Sequence, residues 1–325
     1  MMRRRDFITL LGGAAAGWPL VARAQQGALP LIGFLGASSP TGDAFRVAAV
    51  RRGLEDSGYV EGRNVAIEYL HAEDRYDRLP AMAVDLVRRG VSVIVAAGGP
   101  SAFAAKSATK TIPIVFSVGY DPVKVGLVAS LNRPGGNLTG MTTLEGELGQ
   151  KRLEVLHELV PMAAVIGVLT NPRNPVATTE AMQEAARTLG VHTDVLEASS
   201  ERELEEVFAS FGRERIGALA IGNDAFFNTS ARQLAALSLR YAVPAMHEFQ
   251  EFAAAGGLVS YGVNIPQTYH QVGLYASRIL KGEKAADLPI QQATKLDLVI
   301  NLKTAKTLGL TVPPSLLARA DEVIE

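Results

Sequence analysis

The 325-residue sequence contains no cysteine. This absence excludes disulfide bonds and thiolate metal sites, and it leaves no lipid-modifiable thiol that could anchor the protein to a membrane. The chain also lacks a large net charge, because it has 32 basic and 33 acidic residues. A nucleic-acid partner requires a basic surface and is therefore not expected. Aromatic residues are few, at 6%, whereas Ala, Gly, Val and Leu are abundant, a composition that suits parallel strands buried under helices.

Catalytic signatures are missing as well. The sequence has no G-x-x-x-x-G-K-[ST] phosphate loop, no G-x-G-x-x-G turn opening a βαβ unit, no G-x-S-x-G elbow and no H-E-x-x-H metal pair. The five histidines are scattered along the chain, and none stands beside a nucleophile that it could activate. We therefore predict no catalytic residue, no bound metal and no cofactor, and we expect the protein not to be an enzyme.

The first 24 residues have the pattern of an export signal. A cationic head, Arg3 to Arg5, precedes an apolar run from Phe7 to Val21, and Ala22-Arg23-Ala24 follows. The run is shorter than the ~20 residues that span a bilayer, and A-x-A is typical of a cleavage site. The segment 1–24 thus predicts a twin-arginine signal peptide, cleaved near Ala24, and a periplasmic protein that does not span the membrane. The alternative is an N-terminal amphipathic helix of the fold.

Strand-length apolar runs then alternate with helical segments. The first half has such runs at 29–36, 64–70, 91–98 and 112–119, and helical faces at Val47-Val50-Leu54 and Leu79-Met82-Leu86 lie between them. The second half repeats this order from residue 164, with strands at 164–170, 216–224 and 243–249. An α/β fold of two similar lobes is predicted, each a doubly wound parallel sheet.

Three further strands link the two lobes in this interpretation. Residues 137–143 would cross to the second lobe, 257–264 would cross back, and 297–302 could cross a third time. Three adjacent crossings form a hinge. The predicted N-terminal lobe comprises 25–142 and 263–290, and the C-terminal lobe comprises 143–262 and 291–325. The alternative is one larger doubly wound domain.

Candidate binding residues follow the carboxyl ends of the strands, because ligands of open parallel sheets lie there. Facing the two sheets across a hinge would bring both sets of loops into one cleft. The candidates of the first lobe are Ser38, Ser39, Gly98, Gly99, Ser101, Ser117, Tyr120 and Asp121. Those of the second lobe and its linker are Asn171, Asn174, Asn223, Asp224, Glu248, Tyr261 and Asn264.

These residue types fit a small polar ligand with an apolar part. Gly98-Gly99-Pro100-Ser101 exposes N–H groups at a helix start, where a carboxylate would bind. Asp224 and Glu248 could hold an ammonium group, and Tyr120 or Tyr261 could cover a ring.

Each candidate also has a structural alternative. Asp121 and the serines are typical helix caps, and the Asn-Pro pairs at 171 and 174 are typical turn residues. Asn223-Asp224 would suit a plain strand-to-helix turn, and Glu248 could be a solvated surface residue. For His247, beside the proposed cleft, we expect a structural role.

At this point the sequence resembles the bacterial ABC-transporter substrate-binding protein family that includes tryptophan- and tyrosine-binding uptake proteins. The resemblance covers the mature chain and is collinear. It is carried by GLEDSGYVEGRNVAIEY (53–69), DPVKVGLVASLNRPGGNLTG (121–140), IGVLTNP, AIGND, YGVN (261–264), ILKGEKAADLPIQQ (279–292) and LVINLKTAKTLGL (298–310).

The resemblance implies a type I periplasmic-binding-protein fold, acting as a monomer. The family binds one small organic ligand between its lobes, here an aromatic amino acid or a small aromatic acid or amide, and delivers it to an ABC permease in the inner membrane. Two alternatives remain open. In the first, the closed form signals to a membrane receptor; in the second, the scaffold carries an enzyme.

Overall fold

The computed structural model describes residues 29–143, 145–174, 179–293 and 295–325. The predicted signal peptide lies outside these ranges. Two α/β lobes are present, one built around a six-stranded sheet and the other around a seven-stranded sheet. The predicted fold class is confirmed.

The first lobe is a run of alternating strands and helices. Its elements are β1 (Leu31–Gly36), α1 (Ala44–Asp56), β2 (Ala66–His71), a 3₁₀ turn (Tyr76–Arg78), α2 (Leu79–Arg88), β3 (Val93–Ala97), α3 (Gly99–Ala108), β4 (Ile114–Val118) and β5 (Leu138–Thr142). Its strands are parallel. With the later strand β11 (Gln291–Gln292) they are ordered β11-β5-β4-β3-β1-β2. β3 and β4 are buried along their whole length, as expected of central parallel strands.

The second lobe repeats the plan. It contains α4 (Glu145–Leu159), β6 (Val165–Thr170), α5 (Glu180–Leu189), β7 (His192–Glu197), α6 (Glu201–Glu214), β8 (Ala218–Ile221), α7 (Ala225–Thr229), α8 (Ala231–Arg240), β9 (Ala245–His247), α9 (Gln250–Ala254) and β10 (Val259–Val263). With two later strands, β12 (Leu296–Asn301) and β13 (Glu322–Ile324), its sheet order is β13-β12-β10-β9-β8-β6-β7. The series β2-β1-β3-β4-β5 in one lobe therefore matches β7-β6-β8-β9-β10 in the other, as the repeated sequence pattern predicts.

After β10 the chain returns to the first lobe and then leaves it again. The remaining elements are α10 (Ile265–Leu280), a 3₁₀ turn (Ala285–Asp287), β11 (Gln291–Gln292), β12 (Leu296–Asn301), α11 (Leu302–Thr307), α12 (Pro314–Leu317) and β13 (Glu322–Ile324). β11 pairs with β5 and forms an edge strand of the first sheet. Gln291 and Gln292 therefore belong to the first lobe, which extends past the predicted boundary at residue 290.

The hinge consists of three neighbouring crossings. The third runs between the other two, because Ala293 N donates to Thr142 O at 2.9 Å and Asn264 N donates to Lys295 O at 3.3 Å. β12 is antiparallel to β10, a departure from the all-parallel prediction. The reason is direction: β10 leaves the second lobe at the hinge, whereas β12 enters it there.

Apolar clusters cover both faces of each sheet. In the first lobe, Leu86, Ile94 and Phe116 belong to one cluster, and Phe34 and Val95 belong to the other. The second lobe likewise has two clusters, one around α4 and α5 and one around the phenylalanines of α6 and α7. Each lobe thus has its own core, so the two can move as separate bodies about the hinge.

Helices α1 and α10 pack unusually closely in the first lobe. A side-chain carbon on Gly53 would lie 2.1 Å from His270 O, and one on Gly273 would lie 2.2 Å from Val50 O. Glycine at both positions lets the two backbones touch. This contact fixes α10, and with it the second crossing, to the first lobe.

Among the described residues, no helix has the length and apolar character needed to cross a bilayer.

Candidate functional site

A cavity of about 560 Å³ lies between the lobes, where the carboxyl ends of the strands face each other. Its walls come from both lobes and are largely apolar, with Val118, Val168, Leu169, Met182 and Phe227 among them. The size and lining are those of a small-molecule site.

Eight of the predicted residues line this cavity. They are Ser38, Gly98, Gly99, Ser117, Tyr120, Asp121, Asn174 and Asn223. Binding by these side chains stays a prediction, but the topology brings loops after β1, β3, β4, β6 and β8 into one place. Strand order alone explains this, because parallel strands end at the same edge of a sheet.

The first turn of α3 and the Tyr120 ring form one corner of the cavity. Gly98 has a φ of +94°, which favours glycine. A side-chain carbon on Gly99 would lie 2.6 Å from the Tyr120 ring, so only glycine lets that ring lie on the helix start. Phe103, one turn further along α3, stacks with Tyr120, with the ring centroids 6.3 Å apart. Tyr120 is therefore held as a rigid aromatic wall.

Asp121 both lines the cavity and caps a turn. Its Oδ1 accepts hydrogen bonds from Val123 N at 2.8 Å and from Lys124 N at 3.2 Å. The segment after Asp121 forms turns, so Asp121 caps a turn rather than the helix expected in the capping alternative.

Asp224 lies behind the cavity wall and is 1% exposed. It caps α7 by accepting from Phe226 N at 2.9 Å, and it accepts from the amides of Asn171 and Asn174 at 2.8 Å each. Burial raises the pKa of Asp224, while these donors lower it. The carboxylate is thus already solvated by protein donors. Asn171 is buried beside it and, unlike Asn174, does not line the cavity.

The lobes touch each other through Tyr76 and Ser38. The Tyr76 hydroxyl donates to both carboxylate oxygens of Asp224, at 3.0 Å each. The Ser38 hydroxyl bonds that of Thr229 on α7. Tyr76 and Ser38 belong to the first lobe and their partners to the second, so both contacts close the cleft directly. Ser39 lies one residue away and accepts from Gly42 N at 3.1 Å within its own turn.

A buried ion pair in the first lobe also faces the cavity. Arg46 donates to Asp43 at 2.9 Å, and the other oxygen of Asp43 lies 3.0 Å from Nδ1 of His71. The Arg46 guanidinium lies against the rings of Phe45, Phe249 and Tyr269, with the centroids at 4.6, 5.7 and 5.8 Å. Phe249 belongs to the second lobe, so this stack is a further contact between the lobes.

Glu248 is buried rather than solvated, at 4% exposure. Its carboxylate lies 3.5 Å from the guanidinium of Arg152, and Arg152 Nε donates to Tyr261 O at 2.8 Å. Arg152 lines the cavity, whereas Glu248 and Tyr261 do not. The Tyr261 side chain instead packs on the core of the second lobe.

Ser101 and Asn264 also lie outside the cavity lining. Ser101 is fully buried in the first turn of α3. Asn264 caps α10, since its side chain accepts from Gln267 N at 2.9 Å and donates to Asp297. Asn264 is therefore a helix cap rather than a cavity residue.

His247 is fully buried. Its Nδ1 accepts from Phe249 N at 3.0 Å, and its ring packs on Phe249 and Phe252. Burial, with a smaller contribution from the charge of Arg152, lowers the pKa of His247 to about 3. The residue is a neutral part of the second-lobe core, in line with the structural role expected for it.

Several cavity residues were not predicted from the sequence, because they lie on helices or farther along the loops that follow the strands. Arg46 on α1, Arg152 on α4 and Tyr269 on α10 are examples. Arg46 had one detectable signal, since it stands four residues before Val50 on the buried face of its helix. Tyr76 had another, because it follows β2 at the same sheet edge.

No cluster of histidine, aspartate and glutamate suited to a metal ion occurs in the described part of the chain.

The sequence matches a family model described as ABC transporter substrate binding protein over residues 39–324. The chain belongs to this family. The structure has the type I periplasmic-binding-protein fold, as its resemblance to solved structures shows.

Three relatives of this substrate-binding protein are informative. A tyrosine-binding protein of Clostridioides difficile (strain R20291) is 28% identical over 80% of this chain and 75% of its own. A conserved domain protein of Vibrio cholerae O1 biovar El Tor superposes with a TM-score of 0.83 at 29% identity, covering 91% of this chain and all of that one. An ABC domain from Streptococcus pneumoniae in complex with L-Trp gives 0.81 at 26% identity, covering 90% and 100%.

Proposed function

We propose that this substrate-binding protein is the periplasmic component of an ABC importer. It closes its two lobes over a small organic ligand, an aromatic amino acid or a small aromatic acid or amide, and delivers that ligand to the permease. The observation that carries the proposal is the cavity of about 560 Å³ with walls from both lobes. A ligand in that position contacts both lobes and so favours the closed form by its differential affinity.

The lining supports an aromatic ligand. Tyr120, Phe227, Phe249 and Tyr269 provide aromatic surface, and Ser117, Asn223 and Asn174 provide neutral hydrogen-bonding groups. Binding of tyrosine and of L-Trp by two relatives supports the same class. Export by a twin-arginine signal would place the protein where a permease can receive the ligand.

A thermal-shift screen tests the ligand class. The panel contains L-tyrosine, L-tryptophan, L-phenylalanine, phenylacetate and benzamide, with L-leucine and D-glucose as negative controls. A ligand at 100 times its Kd adds about 2.7 kcal/mol, which for a chain of this length raises Tm by about 4 °C. No shift with any aromatic compound would refute the ligand class.

Two measurements separate the proposed role from its alternatives. A binding protein releases its ligand unchanged, so mass spectrometry of ligand recovered after long incubation should detect no product; conversion would indicate an enzyme. Uptake of the radiolabelled ligand should fall in cells lacking the gene. Normal uptake with a lost transcriptional response to the ligand would instead indicate sensing.

A further inference from the structure

At the edge of the cleft the charges of two carboxylates, Asp224 and Asp43, act on a third, Asp74. Asp74 lies in the loop after β2, two residues before Tyr76. Asp224 of the second lobe bonds Tyr76, and Asp43 lies on the first-lobe side. Oδ1 of Asp74 is buried and has no hydrogen-bond partner. Closing the cleft therefore brings the carboxyl group of Asp74, one oxygen of which has no hydrogen-bond partner, close to the negative charge of Asp224.

The surroundings of Asp74 offer little compensation. The charges that act most strongly on Asp74 are those of Asp224, Asp43 and Arg46, and Ser38 supplies one hydrogen bond. Arg46 is itself paired with Asp43 at 2.9 Å. Burial, then the charges of Asp224 and Asp43, raise the pKa of Asp74 to about 6.

Tyr76 connects this corner to the ligand cavity. Its hydroxyl bonds Asp224, and Asp224 holds the amide of Asn174, which lines the cavity. In an open form Tyr76 and Asp224 part, because they belong to different lobes. The Tyr76–Asp224 bond thus exists only when the cleft is closed.

We propose that the Tyr76–Asp224 hydrogen bond is the contact that sets the closing equilibrium, and that Asp74 makes closure take up a proton. Tyr76 acts as a positioning residue, holding the second-lobe wall against the first. The inference rests on the proposed function in that ligand binding requires closure, but closure itself can be measured without any ligand.

The sign of the pH effect follows from the position of Asp74. Protonating Asp74 removes a negative charge beside Asp224 and favours the closed form. If Asp74 returns to its ordinary pKa of 3.8 on opening and has a pKa of about 6 when closed, closure is favoured up to about tenfold more at pH 5 than at pH 7.5. Affinity for a ligand should change by the same factor.

The absence of native cysteine allows a direct assay of closure. A side-chain carbon on Gly42 would lie 2.6 Å from Oγ1 of Thr229 across the cleft. Cysteines introduced by Gly42→Cys and Thr229→Cys should form a disulfide only in the closed form, so the initial rate of crosslinking reports its population. Variants are compared at the same pH, and the thiol chemistry then cancels.

Three variants are made in this background. Tyr76→Phe keeps the ring but loses the bond to a charged acceptor, and should slow crosslinking about tenfold or more. Asp74→Asn keeps the left-handed backbone of residue 74, with a φ of +60°, which asparagine tolerates well. It should crosslink faster than the parent at both pH values, and the ratio of the two rates should be up to about tenfold smaller at pH 5 than at pH 7.5. Tyr241→Phe, in the second lobe away from the cleft, serves as the matched control.

Calorimetry with L-tyrosine and L-tryptophan as probes gives the second readout. Kd should rise with pH from 5 to 7.5 in the parent and stay flat in Asp74→Asn. Unchanged crosslinking and Kd in Tyr76→Phe would overturn the closure role, and a retained pH dependence in Asp74→Asn would overturn the proton linkage. If neither probe binds, the result counts against the proposed ligand class only. The closure role and the proton linkage are still tested by the crosslinking rates, which are measured without ligand.

Discussion

The close crossing of α1 and α10 predicts that one added methyl group destabilises the first lobe. In Gly273→Ala the new carbon would lie 2.2 Å from Val50 O and 3.0 Å from the Cα of Gly53. Both neighbours are backbone atoms of a helix. Neither can move without displacing the helix that contains it.

The cost follows from these distances. An ordinary contact between heavy atoms is about 3.5 Å, so the helices must part by roughly 1 Å. Overpacking of this kind costs ~1–3 kcal/mol, and the better helix propensity of alanine offsets up to ~1 kcal/mol. We expect the free energy of unfolding to fall by about 1–2 kcal/mol. Because α10 also presents Ile265 and Tyr269 to the cavity, ligand binding should weaken as well.

Urea unfolding followed by circular dichroism measures this effect, and the chain provides a matched control. Gly212 lies within α6, and a carbon added there would meet nothing within 4 Å. Gly212→Ala should therefore gain about 0.5–1 kcal/mol. If Gly273→Ala proves as stable as the parent while Gly212→Ala behaves as expected, the two helices are not in backbone contact and the packing described for the first lobe is wrong.

Three further predictions concern the site and its support. The pKa of His247 is about 3, below its ordinary 6.5, so the stability that it gives is complete above pH 6.5 and is lost as pH falls. Urea titrations at pH 6.5 and 4.5 should show a loss in the parent about 2–3 kcal/mol larger than in His247→Gln; equal losses would mean that the histidine is not buried neutral. Asp224→Ala leaves the donors of Tyr76, Asn171 and Asn174 without an acceptor, and should cost about 3 kcal/mol or more of unfolding free energy. Calorimetry should show weaker binding of both L-tyrosine and 3-(4-hydroxyphenyl)propionate, which lacks the ammonium group. Weaker binding of L-tyrosine alone would instead support the predicted contact between Asp224 and the ammonium group. Gly99→Ala should displace the Tyr120 ring and weaken binding of aromatic ligands at least tenfold, with stability lowered by no more than ~3 kcal/mol; unchanged Kd would show that Tyr120 is not part of the binding wall.

The fold was accessible from sequence because its signals are local and repeated. Buried strands such as β3 and β4 are continuous apolar runs, and Gly190, with a φ of +71°, ends α5 in the left-handed conformation that glycine favours. The weakest signal belonged to β7, an edge strand whose residues are mostly exposed. The antiparallel entry of β12 left no local signal, since strand direction depends on where the chain re-enters the lobe.

The candidate site was only partly accessible. Residues at or just after the ends of strands, such as Ser117 and Asn223, could be placed because all parallel strands end at one edge. Whether such a residue faces the cavity or turns behind it depends on side-chain partners far away in sequence. Asp224 accepts a hydrogen bond from Tyr76, 148 residues earlier in the chain. Glu248 forms an ion pair with Arg152 on α4.

The sequence by itself therefore determined the duplicated α/β architecture, the absence of thiol chemistry and the sheet edges at which a ligand would lie, since these follow from composition and period. Tertiary structure alone decided which polar groups line the cavity and which support its walls. The physical reason is that a buried charge or amide must find a partner, and the nearest partner in space lies in the other lobe or on a distant helix.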